Sequence, residues 1–201
     1  MKRLFLSEGS NDTTFLSLFI KEHYPMLDTD RLDISNGDAG SMMYKESKKI
    51  REFKDPRDDH EVLIKSENGD ENLVRFLGSK IPDLLRMDLD FYVLIDLDGK
   101  DVASRLTQFE NKLQPHSPGK RFDISCGGEI VKTHYMESYV VNVQIDRRDI
   151  GNFNLLAFCE DLEDAADIGE DESDQDIIED KISDILERNQ ITAPVKRAFS
   201  D

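Results

Sequence analysis

Two short acidic runs hold the residue types that do chemistry. Glu8-Gly9-Ser10-Asn11-Asp12 follows the apolar run Leu4-Phe5-Leu6, and Asp96-Leu97-Asp98-Gly99-Lys100-Asp101 follows Phe91-Tyr92-Val93-Leu94-Ile95. Carboxylates gathered in a small volume repel one another unless a cation neutralises them. Hard oxygen donors at an open site suit Mg²⁺ or Mn²⁺. In an extended backbone, Asp96 and Asp98 project to the same side. If the strands that precede them are neighbours, Glu8, Asp96 and Asp98 converge within a few ångströms of a common point. Gly9 and Gly99 permit sharp turns at both places.

The elements that must position these residues follow from pattern. A strand over 3–7 leads through Gly9 to a helix bearing Phe15, Leu18 and Phe19, with Asn11 and Asp12 in place to cap it. For Asp12 two readings stand side by side, a helix cap and nothing more, or a carboxylate available to the cation. A weaker strand at 32–35, a loop at 36–40 and a polar helix over about 42–53 come next. A strand at 61–65, a turn at Asn68-Gly69-Asp70 and a helix over 72–85, kinked or shortened by Pro82, follow. The run 91–95 is apolar at every position, as expected of a strand buried on both faces of a parallel sheet. A helix over 102–113 is stopped by Pro115 and Pro118. Strands are expected at 120–125 and 139–145, with Cys126-Gly127-Gly128 as a hairpin turn between them. Strands alternating with helices indicate an α/β fold with a mainly parallel central sheet, whose functional groups gather at the carboxyl ends of the strands.

At these residues the chain resembles the TOPRIM domain. That is the metal-binding catalytic domain of type IA and type II topoisomerases, bacterial primases, recombination-mediator proteins and overcoming-lysogenization-defect-type nucleases. The pattern is Glu-Gly after the first strand and Asp-x-Asp after a later hydrophobic strand, here Glu8-Gly9, extended by Asp12, and Asp96-Leu97-Asp98. The chain is most similar to small stand-alone TOPRIM-like proteins, in which a strand-turn-helix with a turn Gly precedes the Asp-x-Asp. Residues 61–77, with Gly69, match that feature, and the resemblance covers roughly residues 3–113.

The resemblance implies a Rossmann-like TOPRIM fold in which Asp96 and Asp98 hold Mg²⁺ or Mn²⁺ directly or through water. Glu8 is then a ligand or the general acid/base, Asp12 a further ligand, and Lys100 a catalytic contact to phosphate. One departure stands out. Where some TOPRIM enzymes carry a third Asp, two residues after Asp-x-Asp, this chain has Lys100, with Asp101 one residue later. Glu160 and Glu163 are the candidates for an additional ligand.

Charge sharpens this reading. The chain has 201 residues, 43 acidic against 26 basic, for a formal net charge of −17. Twelve of the acids lie between Glu160 and Asp180 with no basic residue among them, and removing that window leaves −5. The total argues against a broad basic face clamping duplex nucleic acid. It does not argue against a phosphodiester held through a metal. Gly169-Glu170-Asp171-Glu172-Ser173-Asp174 reads as a solvated loop, and Ser173 or Asp174 is placed to cap a helix carrying Ile178, Ile182, Ile185 and Leu186. The tail from Thr192 onward is expected to be loose unless Lys196 or Phe199 docks.

No apolar run exceeds five residues, and nothing resembles a signal-peptide core. Cys126 and Cys159 lack paired-ligand spacing, so a reduced, cytoplasmic setting is the expectation. No two of His23, His60, His116 and His134 have metal-ligand spacing. The expected organisation is a TOPRIM-like core at 1–115 and a C-terminal extension of strands and helix at 116–201 containing the acidic loop 160–180.

The expected function is Mg²⁺-dependent phosphodiester chemistry on DNA or RNA by a nuclease, a hydrolase, or by a phosphotransferase. The chain lacks the ATPase, gate and zinc modules of larger TOPRIM enzymes. An alternative is a non-catalytic metal-binding scaffold, or the partner subunit of an ATPase. A receiver-like phosphoacceptor domain fits the Glu-Gly pair less well. No membrane partner is expected.

Overall fold

The computed structural model describes residues 1–32, 39–116, 118–169 and 171–200, with the backbone alone at 39–44 and 46. Seven strands form one sheet in the order β2-β3-β1-β4-β7-β6-β5. They are β1 (Arg3–Ser7), β2 (Thr29–Leu32), β3 (Val62–Ser66), β4 (Asp90–Asp96), β5 (Phe122–Lys132), β6 (Met136–Ile145) and β7 (Arg148–Phe158). From β2 to β7 the pairings are parallel; β7 with β6 and β6 with β5 are antiparallel. The chain is therefore an α/β protein with a mostly parallel central sheet.

Helices cover both faces, as parallel strands require. On one face lie α2 (Ala39–Lys54), α3 (Asp70–Leu84) and α4 (Val102–Leu113). On the other lie α1 (Ser10–His23), α5 (Leu162–Ala166), α6 (Gln175–Leu186) and α7 (Asn189–Arg197). The two cores follow the strand period of two. Leu4, Leu6, Phe91, Val93 and Ile95 face the α3/α4 side, whereas Phe5, Tyr92 and Leu94 face the α1 side.

Several expected boundaries shift. The second strand begins three residues earlier than its pattern suggested, at Thr29; its expected continuation at 33–35, and 36–38 of the loop, lie outside the described residues. Pro82 sits in the last turn of α3, which ends two residues on, so it neither removes nor shortens the helix body. Cys126-Gly127-Gly128 is not a hairpin turn. It lies inside β5, where the register with β6 slips between Cys126 and Gly128. Glycines without side chains to pack accommodate such a bulge.

β7 carries more weight than its sequence advertised. It pairs with β4 in register Asp96↔Phe158 and joins residues 116–201 to the same sheet as 1–115. Asp174 caps α6, accepting the Asp176 N–H at 3.1 Å. The tail docks: Phe199 is buried and stacks on Tyr24, with ring centroids 4.5 Å apart, and on Phe5 at 5.7 Å. Among the described residues no helix is long and apolar enough to cross a membrane.

Candidate active site at the carboxyl edge of the sheet

Because β3, β1, β4 and β7 run parallel and adjacent, their carboxyl ends share one edge. The connection after β1 enters α1 on one face, and those after β3 and β4 enter α3 and α4 on the other. Diverging connections open a crevice at such a point. Backbone bonds hold the loops together there. The Glu67 N–H donates to the Ser7 carbonyl (3.0 Å), Leu97 N–H to Phe158 (2.9 Å) and Gly99 N–H to Cys159 (3.0 Å).

Into this crevice come acids from four loops. Glu8 and Asp96 stand at the ends of neighbouring strands, since Ser7 pairs with Leu94. Their side chains part company, however. Asp96 follows Tyr92 and Leu94 toward α1, whereas the Glu8 Oε1 accepts 2.8 Å from Nη2 of Arg105, on α4. Arg105 is buried, and it also donates through Nε to the Asp96 carbonyl (3.0 Å) and lies 3.6 Å from Asp70 Oδ1. Asp70 is paired in turn with Lys112.

On the α1 side, Asp12 is buried and its Oδ2 accepts the Gly9 N–H at 2.8 Å. The capping role is thus filled, from the third helical position. Asn11 Nδ2 donates to Glu163 Oε1 at 2.7 Å, which brings the acidic window into the site. Glu160 also reaches it: a Cβ at Gly99, φ +68°, would lie 3.0 Å from the Glu160 Oε2.

Asp98 does not share a side with Asp96. The strand ends at Asp96, Leu97 turns into the core, and Asp98 adopts φ +50°. Its carboxylate is half exposed and takes a bond from Lys100 Nζ at 3.2 Å. Extended geometry does not continue through the motif, so the expected convergence of Glu8, Asp96 and Asp98 on one point is not what the loops produce. Among the described residues, no group of three or more His, Cys, Asp or Glu side chains is arranged to hold a metal ion.

The acids nevertheless act on each other at longer range. Burial drives the Asp96 carboxyl up to about 9, with the fields of Asp12, Glu8, Glu163 and Asp161 adding to it. Asp96 Oδ1 is closed to solvent and has no hydrogen-bond partner among the described residues. Burial raises Asp12 to about 7 against the Gly9 N–H, which lowers it. Burial raises Glu8 to about 7, opposed by Arg105 and assisted by Asp70 and Asp98. Fields of this kind reach beyond coordination distance, so a repelling cluster and the lack of a finished cage are compatible.

The donor set suits a hard cation. Mg²⁺ keeps several waters and is commonly held by one or two carboxylates plus substrate phosphates. Asp96, with Asp12 and Glu163 nearby, supplies that much. Arg105 and Asp161 escaped the sequence reading, and Asn11 and Asp70 were read only as a helix cap and a turn residue. Arg105 had a signal, a basic residue on the apolar stripe of Val102, Leu106, Phe109 and Leu113.

Stability should depend on pH in a definite direction. The unfolded chain releases protons from Glu8, Asp12 and Asp96 near their ordinary values, 4.5 for Glu and 3.8 for Asp, while the folded chain keeps them to about 7 or 9. Between those limits the folded state binds more protons, so stability falls as pH rises. In chelator, the Tm should decline steadily from pH 5 to pH 9, and Mg²⁺ should flatten the decline. Scanning calorimetry showing a Tm that climbs through this window would contradict the assignment.

Neither the protein-family models nor the curated proteins compared with the chain include a match. Among solved structures it is similar to two de novo designed proteins of P-loop NTPase fold, each 22% identical with a TM-score of 0.32. The first alignment covers 58% of this chain and 75% of the designed one, the second 56% and 72%.

Proposed function

We propose that the crevice carries Mg²⁺- or Mn²⁺-dependent phosphodiester chemistry on nucleic acid, as a TOPRIM-type nuclease, with phosphoryl transfer the related alternative. The observation that carries this reading is Asp96. Its Oδ1 is buried and unpartnered at the carboxyl edge of the sheet, among acids delivered by the loops after β1 and β7. Such an atom is costly to leave unsatisfied, and a cation would satisfy it.

Asp96 would be the principal ligand, with Asp12 and Glu163 beside it and Asp98 at the mouth. Bound there, the metal would stabilise charge on the non-bridging oxygens and supply an activated water. Glu8 holds a proton up to about pH 7. It is therefore poised to accept one from the attacking water or deliver one to the departing oxygen. Arg105 fixes the Glu8 carboxylate, and Lys100, at the exposed rim, is placed to contact a phosphate. The N-termini of α1 and α3 open on the same edge and favour an anionic substrate. The free thiols Cys126 and Cys159 suit a cytoplasmic setting, which belongs to the same proposal.

Nicking of plasmid DNA and cleavage of single-stranded DNA and RNA, with Mg²⁺ or Mn²⁺, test the reading. Glu8→Gln should slow cleavage about 100-fold or more, the usual contribution of a general acid/base. Cleavage that survives undiminished in both Glu8→Gln and Asp96→Ala would place the reaction elsewhere.

A second reading, a metal-binding scaffold or ATPase partner without catalysis, is favoured by the Glu8–Arg105 pair, which already neutralises the acid. Saturable Mn²⁺ binding with no cleavage of any substrate would select it.

A further inference from the structure

A groove of about 480 Å³ runs between α3 and the end of α4, outside the acidic crevice. Its walls meet at Gly78. A Cβ there would lie 3.0 Å from the His116 Cβ, so α3 and the short 3₁₀ turn Gln114–His116 close on each other at that point. Nearer the start of α3 the walls stand apart. Glu71, Asn72 and Arg75 line one side, and Asn111, Lys112 and His116 the other. Arg75, Asn111, Lys112 and His116 are all exposed, so a ligand can reach each of them.

Charge decides what the groove can hold. Arg75, Lys112, a histidine and two amides face one acid, Glu71, in a chain that carries −17 overall. Glu71 stands four residues before Arg75, the spacing of a helical ion pair. The guanidinium nevertheless donates to Asn72 Oδ1 (2.7 Å), and among the described residues it has no carboxylate within ion-pair distance. Asn72 thus holds Arg75 in place without neutralising it. Lys112 can be shared. Its partner Asp70 lies 3.6 Å from Arg105, so that carboxylate keeps a cation when Lys112 turns to a ligand.

We propose that this groove binds a phosphate group. Arg75 and Lys112 meet its charge from opposite walls, and the Asn111 amide and the His116 ring donate to its remaining oxygens. A phosphate presents more acceptor oxygens than a carboxylate, which suits donors arriving from two helices. The phosphate belongs to a nucleic-acid strand that continues into the crevice or to a free phosphate compound. Binding needs neither metal nor cleavage, so it stands or falls apart from the chemistry proposed for the crevice.

Pyrophosphate titrated into ¹⁵N-labelled protein in metal-free buffer tests this, with sodium chloride at matched ionic strength as the control. Pyrophosphate should shift the Arg75 Nε–H and Asn111 Nδ2–H signals saturably, and chloride should not. Arg75→Gln and Lys112→Gln, both at exposed positions, should each weaken binding about tenfold, as loss of a charge-assisted contact predicts. Arg86→Gln removes an exposed cation outside the groove and should leave binding unchanged. Displacement of pyrophosphate by a short oligothymidylate identifies a strand as the source, and oligothymidylate that leaves it bound identifies a free phosphate compound. The proposal is overturned if no saturable shift occurs, if chloride reproduces the shifts, or if Arg75→Gln and Lys112→Gln bind undiminished. An equal loss in Arg86→Gln would also overturn it, because only the overall charge would then matter.

Discussion

Asp96→Asn is expected to abolish metal-dependent cleavage while making the metal-free protein more stable. The two effects have one cause. Asp96 ends β4 with an oxygen that is buried and unpartnered, in the field of Asp12, Glu8, Glu163 and Asp161. A neutral carboxamide of nearly the same shape relieves the repulsion but cannot supply an anionic ligand. Even a gain of ~2 kcal/mol corresponds to roughly 4–8 °C in Tm for a chain of this size. The gain should be largest at alkaline pH, where the native carboxyl is forced to ionise. Thermal unfolding in chelator at pH 8.5 measures one effect, and a plasmid-nicking assay at saturating Mn²⁺ the other. A lower Tm combined with full activity would show that the Asp96 carboxylate is a structural acid with partners of its own.

Arg105→Met should do the opposite to stability. Arg105 is the internal cation of the site, bonded to Glu8 and to the Asp96 carbonyl, with Asp70 at 3.6 Å. Methionine keeps much of the buried stem but leaves those acids without their guanidinium. Breaking a buried pair in this way costs about 3–5 kcal/mol. The loss should be full at pH 8 and shrink as pH falls below about 6, because Glu8 can then take up a proton in place of its cation. Mg²⁺ should recover part of it. Denaturant unfolding at pH 8 and pH 5.5 reads the difference; an equal loss at both would mean that packing, not charge, is what Arg105 provides.

Much of this architecture could be read from residue pattern. The uniformly apolar run ending at Asp96 announced a central parallel strand, and Leu4 to Leu6 before Glu8-Gly9 announced its neighbour. The alternation of short strands with amphipathic helices is enough to give the α/β class. β7 was harder to see. Its first half, Arg148-Asp149-Ile150-Gly151-Asn152, is polar because it runs beyond the stretch paired with β4 and pairs with β6 alone, and only Leu155 to Phe158 look like a core strand. Without β7, residues 160–163 could not be placed, so Glu160 and Glu163 stood as candidates for a further ligand with no position in the fold. Yet Glu163 is held by Asn11, and Glu160 sits against Gly99.

The details of the site were illegible for a local reason. Spacing in Asp96-Leu97-Asp98 implies two carboxylates on one side only while the backbone stays extended. The left-handed turn at Asp98 and Gly99 breaks that condition. Likewise, alternation along β1 sends Glu8 to the α4 side and Asp96 to the α1 side, a divergence that depends on strand register and not on composition. Arg105 answers to tertiary packing, since its three acidic or carbonyl neighbours come from three separate segments.

The central claim is that a divalent cation binds at Asp96. Calorimetric titration of Mn²⁺ into the whole chain at pH 7.5, in two buffers of different ionisation enthalpy, tests it most directly. The account predicts saturable binding, accompanied by proton release from carboxyls that burial holds protonated, and both are lost in Asp96→Asn. Binding that persists undiminished in Asp96→Asn, or no saturable binding by the unmodified chain, would contradict it.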